Sequence, residues 1–325
     1  MSPLLIVQAN IGTDVRDMLL PWKASKKPKS AQELNALWDE AEVAYPKIEK
    51  SSSDTLNGLN AQVYLMQEVG GAFKRPETRP LIQSLKARNF EVIGNRLMTV
   101  QRPTGRVLTP MHPDAIIALD SSRFCHIINL SQQVSGVEER RDVAIATAID
   151  KISKKRCLFV SFHNPGFSFK AAKKYNSLTQ RFWRIFNGLL QTLFGRSLNP
   201  TEDEREYLKR YRECAHMIDN LSKLIKRIQD REGTEVVVIG ADMNATPENS
   251  PSLFEQFRKL QLKVVRVNGP TEVNPSDEDP ELTYRELDYF FTSSHIKSTN
   301  IPIPQMSFED LQSNASDHLP IAISI

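Results

Sequence analysis

Cysteine is scarce in this sequence. Only Cys125, Cys157 and Cys214 occur among its 325 residues, and no two of them have the CxxC spacing. This pattern indicates neither a disulfide framework nor a cysteine-based zinc site. It mildly favours a reducing, cytoplasmic compartment, although an odd number also allows one disulfide and a free thiol.

Long hydrophobic runs are absent as well. No stretch of about 18 apolar residues occurs, so we expect no transmembrane helix. We also expect no secretory signal peptide in this sequence. A strand-like run begins almost at residue 1, which leaves open that a targeting segment has been removed. Internal repeats and low-complexity tracts are missing too. The cellular address therefore stays open at this stage.

Neither sign of charge dominates the chain. It carries 42 lysines and arginines against 39 aspartates and glutamates, a net charge of +3. This mild basicity permits a polyanionic partner without requiring one. Polar residues that are candidates for one functional site, described below, extend from Asn10 to His318. A site built from them would join both ends of the chain. We therefore expect a single domain over 1–325, with helical insertions near 21–60 and 170–232.

Six short apolar runs each carry a polar residue at or near one end. Runs of this length, bounded by turn residues, predict buried strands. Such strands gather their end residues at one edge of a β-rich scaffold. The residues concerned are Asn10, Glu68, His163, Asp242 with Asn244, Asp288, and Asp317 with His318.

Three of these residues carry oxygen atoms suited to a hard divalent cation. Glu68 is the first candidate ligand, followed by Asn10 and Asp317. Magnesium keeps several waters and needs only one or two carboxylates, so this set suits Mg²⁺, with Mn²⁺ as a substitute. No cluster of histidine and cysteine favours zinc instead.

Two histidines have settings that suit proton transfer. His163 follows an apolar run and His318 follows a carboxylate, while Asp288 could orient one of the imidazoles. Taken singly, each residue has an ordinary interpretation. An asparagine or aspartate after a strand commonly forms a turn, and a lone histidine is commonly a satisfied core or surface residue. The ordered set favours one site.

Four short motifs surround these residues. They are Gln67-Glu68-Val69, Gly240-Ala241-Asp242-Met243-Asn244, Leu287-Asp288-Tyr289 and Ser316-Asp317-His318-Leu319-Pro320. Together they resemble the endonuclease/exonuclease/phosphatase superfamily, which includes deoxyribonucleases, the nuclease subunit of cytolethal distending toxin, inositol-polyphosphate phosphatases and neutral sphingomyelinases. Asn10 and His163 match weaker motifs of that superfamily. The resemblance implies an α/β (α+β) fold, a four-layer α/β/β/α sandwich of two packed, mostly antiparallel sheets flanked by helices.

The resemblance also implies a metal site and an activated water. Glu68, Asn10 and Asp317 would hold or neighbour Mg²⁺. Asp242 would position or deprotonate the attacking water. The implied reaction is in-line hydrolysis of a phosphate ester.

Further implied roles concern the phosphate. Asn244 would bind it, and His318, oriented by Asp288, would contact it and assist the nucleophile. His163 would stabilise the phosphoryl oxygens or protonate the leaving group. Arg141 falls where deoxyribonuclease relatives carry a phosphate-contacting arginine, although an ordinary surface arginine is an equal alternative.

Two departures from the superfamily patterns stand out. Some deoxyribonuclease relatives pair the first histidine with a glutamate between the motifs of Glu68 and His163, where the nearest spacing here offers Gln101. The charge state of His163 is therefore open. The phosphoinositide-phosphatase signature around that histidine is also missing, since the chain reads His163-Asn164-Pro165-Gly166-Phe167.

Three functions compete on these patterns. We predict a DNase-like endonuclease, which the lysines at 23, 26, 27 and 29 and Arg141 would support through nucleic-acid phosphates. The alternative is a phosphatase or sphingomyelinase-like phosphodiesterase on phosphorylated lipid headgroups. It rests on the amphipathic segment 181–196, which could equally pack on a protein partner or on the chain's own core. A non-catalytic binding module comes last.

Overall fold

The structure is a computed structural model that describes residues 3–11, 50, 52–69, 80–94, 98–101, 107–111, 115–134, 142–164, 202–267, 269–273, 284–302 and 318–325. The lysines at 23–29 and the amphipathic segment 181–196 lie outside these residues. The insertions predicted near 21–60 and 170–232 are described only at 50, 52–60 and 202–232.

Six strands form the first sheet. They are β1 (Leu5–Asn10), β2 (Val63–Gln67), β3 (Phe90–Gly94), β6 (Ile116–Asp120), β15 (Thr299–Ile301) and β16 (Ile321–Ser324). Their order across the sheet is β15-β16-β1-β2-β6-β3. The central strands β1 and β2 run parallel, and the four other pairings are antiparallel.

The second sheet repeats this plan. It contains β7 (Phe124–Asn129), β8 (Val143–Asp150), β9 (Arg156–His163), β10 (Val236–Asp242), β11 (Leu262–Val265) and β14 (Asp288–Ser293). Their order is β11-β14-β10-β9-β8-β7. Here β9 and β10 form the parallel pair, and every other pairing is antiparallel.

Two small hairpins and a few helices complete the described elements. The hairpins pair β4 (Met98–Gln101) with β5 (Val107–Met111) and β12 (Glu272–Val273) with β13 (Tyr284–Arg285). Residues 52–58 are helical, and the longer helices are α1 (Pro80–Ala87), α2 (Glu202–Glu232) and α3 (Pro251–Arg258). Ser131–Gln133 form a short 3₁₀ turn. None of the described helices is both long and apolar enough to cross a membrane.

The strands in the middle of each sheet are mostly apolar because both of their faces are covered. β2 and β10 are buried along their full length. One face of each sheet meets the other sheet, where Leu65, Phe159 and Phe290 share a single apolar core. A strand with two covered faces reads as a continuous apolar run rather than an alternating one.

Helices cover the two outer faces of the sandwich. The long helix α2 packs an apolar stripe on the second sheet, with a spacing of three and four residues. The stripe contains Cys214, Ile218, Leu221, Ile225 and Ile228. Helix α3 joins the same core, and α1 with residues 52–58 covers the first sheet. The layers are therefore helix, sheet, sheet and helix, as the motifs led us to expect.

A close approach of the two sheets occurs at Gly240 in β10. A Cβ atom added there would lie 2.9 Å from Cβ and Cδ1 of Leu65 and 3.0 Å from Cγ of Gln8. Carbon atoms do not approach this closely, so only glycine lets β10 lie against β1 and β2 at this point. The approach lies two residues before Asp242.

Candidate active site at the ends of the parallel strands

The candidate site lies where the two parallel strand pairs end. β1 and β2 end at Asn10 and Gln67, which are register partners, and Glu68 follows directly. β9 and β10 end at His163 and Asp242, which are also register partners. Parallel strands bring their carboxyl ends to the same edge, so two sheets packed face to face bring four such ends together. All five of these side chains are buried.

His163 stands between two carboxylates from different sheets. Its Nε2 lies 3.4 Å from Oε1 of Glu68 and 3.8 Å from Oδ2 of Asp242. One ligand atom from each of these three residues lies within 4.8 Å of the other two. Of these two carboxylates, that of Glu68 lies nearer to the imidazole.

Glu68 has an unusual backbone conformation. Its φ is +50°, in the left-handed region that a residue with a side chain rarely adopts. This conformation costs about 1–3 kcal/mol where the surroundings impose it, and such strain concentrates at functional sites. The geometry turns the chain at the end of β2. It is consistent with the role of Glu68 as the first candidate ligand.

His318 forms a second cluster with Asp288 and Asp242. Its Nδ1 lies 2.8 Å from Oδ2 of Asp288, within hydrogen-bond distance, and its Nε2 lies 3.9 Å from Oδ2 of Asp242. Asp288 begins β14 and is the register partner of Asp242. The structure thus brings His318 to Asp288, the orienting carboxylate that we predicted for it, although their sequence positions differ by 30.

Asp242 connects the two clusters and is fully buried. Its Oδ2 accepts a hydrogen bond from Nδ2 of Asn10 at 2.9 Å, and its Oδ1 accepts one from the backbone N–H of Asn244 at 2.9 Å. Burial raises the pKa of Asp242 to about 7, partly opposed by the charge of His318 and reinforced by that of Asp288. A carboxyl group that titrates near neutrality is suited to accept a proton during catalysis.

The loop after β10 holds Asn244 in a left-handed conformation. Its φ is +45°, which asparagine tolerates better than most residues. Its Nδ2 donates to the carbonyl oxygen of Asn164 at 3.0 Å. Asn164 is anchored in turn, because its Nδ2 donates to the carbonyl oxygen of Met243 at 2.6 Å. The loop therefore presents Asn244 from a rigid support beside Asp242.

Thr271 ties the loop of Asp288 to that of His318. Its Oγ1 accepts the backbone N–H groups of Leu287 and Asp288 at 2.9 and 3.0 Å. Its carbonyl oxygen accepts the N–H of Leu319 at 2.7 Å. The sequence patterns did not single out Thr271, because its contacts join segments that are distant in the chain.

Arg141 and Asp317 lie outside the described residues, so their predicted roles stay predictions. Asn10 is placed beside Asp242, with its amide nitrogen as the contacting atom. Gln8, Gln67 and Ser161 were also missed by the sequence analysis. Their signal was present as polar residues within buried apolar runs, which need hydrogen-bond partners of their own.

The described residues fit a divalent cation. Three buried carboxylates, those of Glu68, Asp242 and Asp288, lie close to two imidazoles at this end of the sandwich. Buried negative charges are costly unless a positive charge compensates them. Glu68 and Asp242 supply the oxygen atoms that Mg²⁺ and Mn²⁺ prefer. His163 completes the set of grouped donor atoms.

Comparison with known proteins gives a clear result at the level of structure. No protein-family model matches the sequence, and no curated protein matches it. Solved structures do match. An endonuclease/exonuclease/phosphatase from Bacteroides vulgatus superposes with a TM-score of 0.53 at 12% identity, over 100% of this chain and 98% of that one. The chain has the endonuclease/exonuclease/phosphatase fold.

A second structure agrees with this assignment. The human Nocturnin catalytic domain, solved with a bound sulfate anion, superposes with a TM-score of 0.51 at 13% identity. It covers 99% of this chain and 92% of that one. The fold implied by the four motifs is therefore confirmed. In this endonuclease/exonuclease/phosphatase fold, the residues of those motifs that the structure describes meet at one end of the sandwich.

Proposed function

We propose that the protein is a metal-dependent phosphoesterase that hydrolyses phosphodiester bonds in nucleic acid. The observation that carries this proposal is the convergence of Glu68, His163, Asp242, Asp288 and His318, all buried, on one end of the fold. Carboxylates that can hold a cation therefore stand beside imidazoles that can move protons. Metal-assisted phosphoester hydrolysis can use both groups, the cation for charge on the phosphate and the imidazoles for proton transfer.

Glu68 would hold the metal ion, with Asn10 and Asp317 as its neighbours. Mg²⁺ is the proposed ion, and Mn²⁺ would substitute for it. When bound, the ion would neutralise negative charge on the phosphate oxygens. Glu68 suits this role because its carboxylate is buried and lies beside His163, at the end of the sandwich where Asp242 also lies.

Asp242 would accept the proton of the attacking water. Its Oδ2 is held by Asn10 and its Oδ1 by the N–H of Asn244, so the carboxylate cannot rotate freely. A base fixed in this way does not lose orientation between turnovers, which lowers the entropic part of the barrier. Asn244 would direct its side chain to the phosphate.

The imidazoles of His163 and His318 would stabilise the negative charge that develops on the phosphate during the reaction. His318 would donate its Nδ1 proton to Asp288, 2.8 Å away, which would leave its Nε2 to contact the phosphate and to assist Asp242. His163 would donate to a phosphoryl oxygen or to the leaving group, and its Nε2 lies 3.4 Å from Oε1 of Glu68. Removal of one such preorganised donor typically costs about 3 kcal/mol of transition-state stabilisation.

Support for a nucleic acid as substrate comes from charge. The net charge of +3 suits a polyanion, and Arg141 is a further candidate for phosphate contact. The Nocturnin structure binds sulfate, a tetrahedral anion that resembles phosphate in shape. Phosphorylated lipid headgroups are the alternative, and that substrate would use the amphipathic segment 181–196.

A side-by-side assay tests the proposal. Purified protein is incubated with supercoiled plasmid and, separately, with phosphoinositide vesicles, each with Mg²⁺ or with a chelator. We expect nicked plasmid only in the presence of Mg²⁺. Phosphate release from vesicles with intact plasmid would move the substrate to lipids. Inactivity on DNA, RNA, phosphoinositides and sphingomyelin alike would support a non-catalytic binding module.

Alanine variants identify the residues that act. His163→Ala, Asp242→Ala and His318→Ala should each abolish turnover and leave the circular dichroism spectrum unchanged. A matched control is His216→Ala, which removes an exposed imidazole from α2. Full activity in any of the three site variants would remove that residue from the mechanism.

A further inference from the structure

A buried chain of side-chain hydrogen bonds joins the two sheets beneath the candidate site. It starts at Gln8, which lies in β1 and is 1% exposed. Nε2 of Gln8 donates to Oε1 of Gln67 at 3.0 Å and to Oδ1 of Asp288 at 2.6 Å. Gln8 and Asp288 are 280 positions apart and belong to different sheets. The contact therefore exists only in the assembled sandwich.

The orientation of Gln67 follows from its other partners. Its Nε2 donates to Oγ of Ser161 at 2.9 Å and to the carbonyl oxygen of Gly240 at 3.1 Å. The hydroxyl of Ser161 in turn donates to the carbonyl oxygen of Met66 at 2.7 Å, which leaves a lone pair for Gln67. Both hydrogens of the Gln67 amide are used, so its Oε1 must face Gln8.

Gln8 is oriented as a consequence. An amide with its oxygen towards Gln67 would bring two carbonyl oxygens together, so Gln8 must present its NH₂ group there. That group carries two hydrogens. One binds Gln67 and the other binds Asp288, at the distances given above. The amide of Gln8 is thus a donor of fixed direction towards Asp288.

Asp288 links the amide of Gln8 to the imidazole of His318. Its Oδ1 accepts from Gln8 and its Oδ2 accepts from Nδ1 of His318 at 2.8 Å. With one oxygen held by Gln8, the carboxylate turns the other towards the imidazole and accepts the Nδ1 proton. Nε2 of His318 then keeps its lone pair on the side of Asp242, 3.9 Å away. The hydrogen bond on one ring nitrogen selects the tautomer of the other.

We propose that Gln8 is a positioning residue, which fixes the rotamer of Asp288 and thereby the Nδ1–H tautomer of His318. A purely structural role, in which Gln8 only joins the sheets, is the competing explanation. The two differ in what they predict for the imidazole. The consequence for catalysis rests on the proposed function, whereas the consequence for the tautomer does not.

Nuclear magnetic resonance of the imidazoles gives the first test. The chain has six histidines, and labelling their nitrogens with ¹⁵N allows the tautomer of each to be observed. His318→Ala assigns the His318 signals by their disappearance. In the wild-type protein, with the ring neutral, we expect protonated Nδ1 and unprotonated Nε2. A wild-type His318 in the Nε2–H tautomer would overturn the proposal without any variant of Gln8.

Gln8→Met supplies the second test, because methionine keeps the length of the side chain and removes the donor. We expect a mixture of His318 tautomers, a fall in kcat of about tenfold and a KM within about twofold of wild type. Gln8→Leu also removes the donor and introduces no new polar group. If the methionine variant does not fold, the leucine variant provides the same test and should give the same result.

The matched control is Gln62→Met, which makes the same substitution just before the opposite end of β2. Oε1 of Gln62 accepts the backbone N–H of Leu5 at 2.9 Å, far along the strand from the site. This variant should lose stability and keep both the tautomer and kcat. A folded Gln8→Met protein with a wild-type tautomer would contradict the proposal, even if its kcat fell. An inactive wild-type protein would refute the proposed function and leave the tautomer test valid.

Discussion

Gly240→Ala should destabilise the protein, because the two sheets leave no room for a methyl group at this position. The new carbon would lie 2.9 Å from two atoms of Leu65 and 3.0 Å from Cγ of Gln8. The Cβ of Leu65 is fixed to the backbone of β2, so rotation of a side chain cannot relieve that contact. Overpacking of this kind costs about 1–3 kcal/mol.

The variant loses further stability because its two sheets must move apart. Nε2 of Gln67 donates to the carbonyl oxygen of Gly240 at 3.1 Å, and separation of β10 from β2 weakens this bond. A typical buried hydrogen bond contributes about 0.5–1.5 kcal/mol. We therefore expect the free energy of unfolding to fall by about 2–4 kcal/mol in total.

Urea unfolding followed by circular dichroism measures this change. Gly58→Ala serves as the matched control, because Gly58 is helical and exposed, and an added Cβ would meet nothing within 4 Å. Alanine favours a helix over glycine by up to about 1 kcal/mol, so the control should be neutral or stabilised. A Gly240→Ala protein as stable as wild type would refute the reasoning about the packing of the sheets.

Four further predictions concern the site. Asp288→Asn should lower the rate of plasmid nicking by about 10- to 100-fold, because an amide can turn its NH₂ group towards His318 and favour the wrong tautomer. Burial raises the pKa of Asp242 from 3.8 to about 7, so the folded state keeps a proton that the unfolded state has lost. In the presence of a chelator, the urea midpoint should therefore fall as the pH rises from about 4 to about 7, and Asp242→Asn should remove this fall. Mg²⁺ at a hundred times its Kd should raise the free energy of unfolding by about 2.7 kcal/mol, and Glu68→Gln should reduce that gain in a thermal shift assay. Thr271→Val should cost about 1–3 kcal/mol in urea unfolding, since two backbone N–H groups would lose their acceptor.

The apolar runs in the sequence predicted most of the central strands of the two sheets. The run before Asp242 predicted β10, because a strand covered on both faces reads as a continuous apolar run, and the helical insertion predicted near 170–232 contains α2 at Glu202–Glu232. The short elements escaped prediction. β15 is only Thr299–Ile301 and has exposed residues at the edge of its sheet, so it leaves no apolar signature. The strands β12 and β13 are only two residues long each, too short to show a pattern in the sequence.

The candidate site was likewise predicted only in part from the sequence. A polar residue at the end of an apolar run is visible in the sequence, which is how Asn10, Glu68 and Asp242 were found. The direction of each side chain is not visible, because it depends on contacts between the sheets. Gln8 illustrates this limit, since its partner Asp288 lies 280 positions away. The left-handed turn at Glu68 is likewise imposed by the surrounding fold rather than by its own residue type.

The most direct test of the central claim is hydrolysis of supercoiled plasmid by the wild-type protein, with His318→Ala beside it under the same conditions. The account predicts nicking that requires Mg²⁺ or Mn²⁺, stops with a chelator and disappears in the variant. Equal nicking by the wild type and by a folded His318→Ala protein would contradict the account. Nicking that persists in the chelator would contradict it as well.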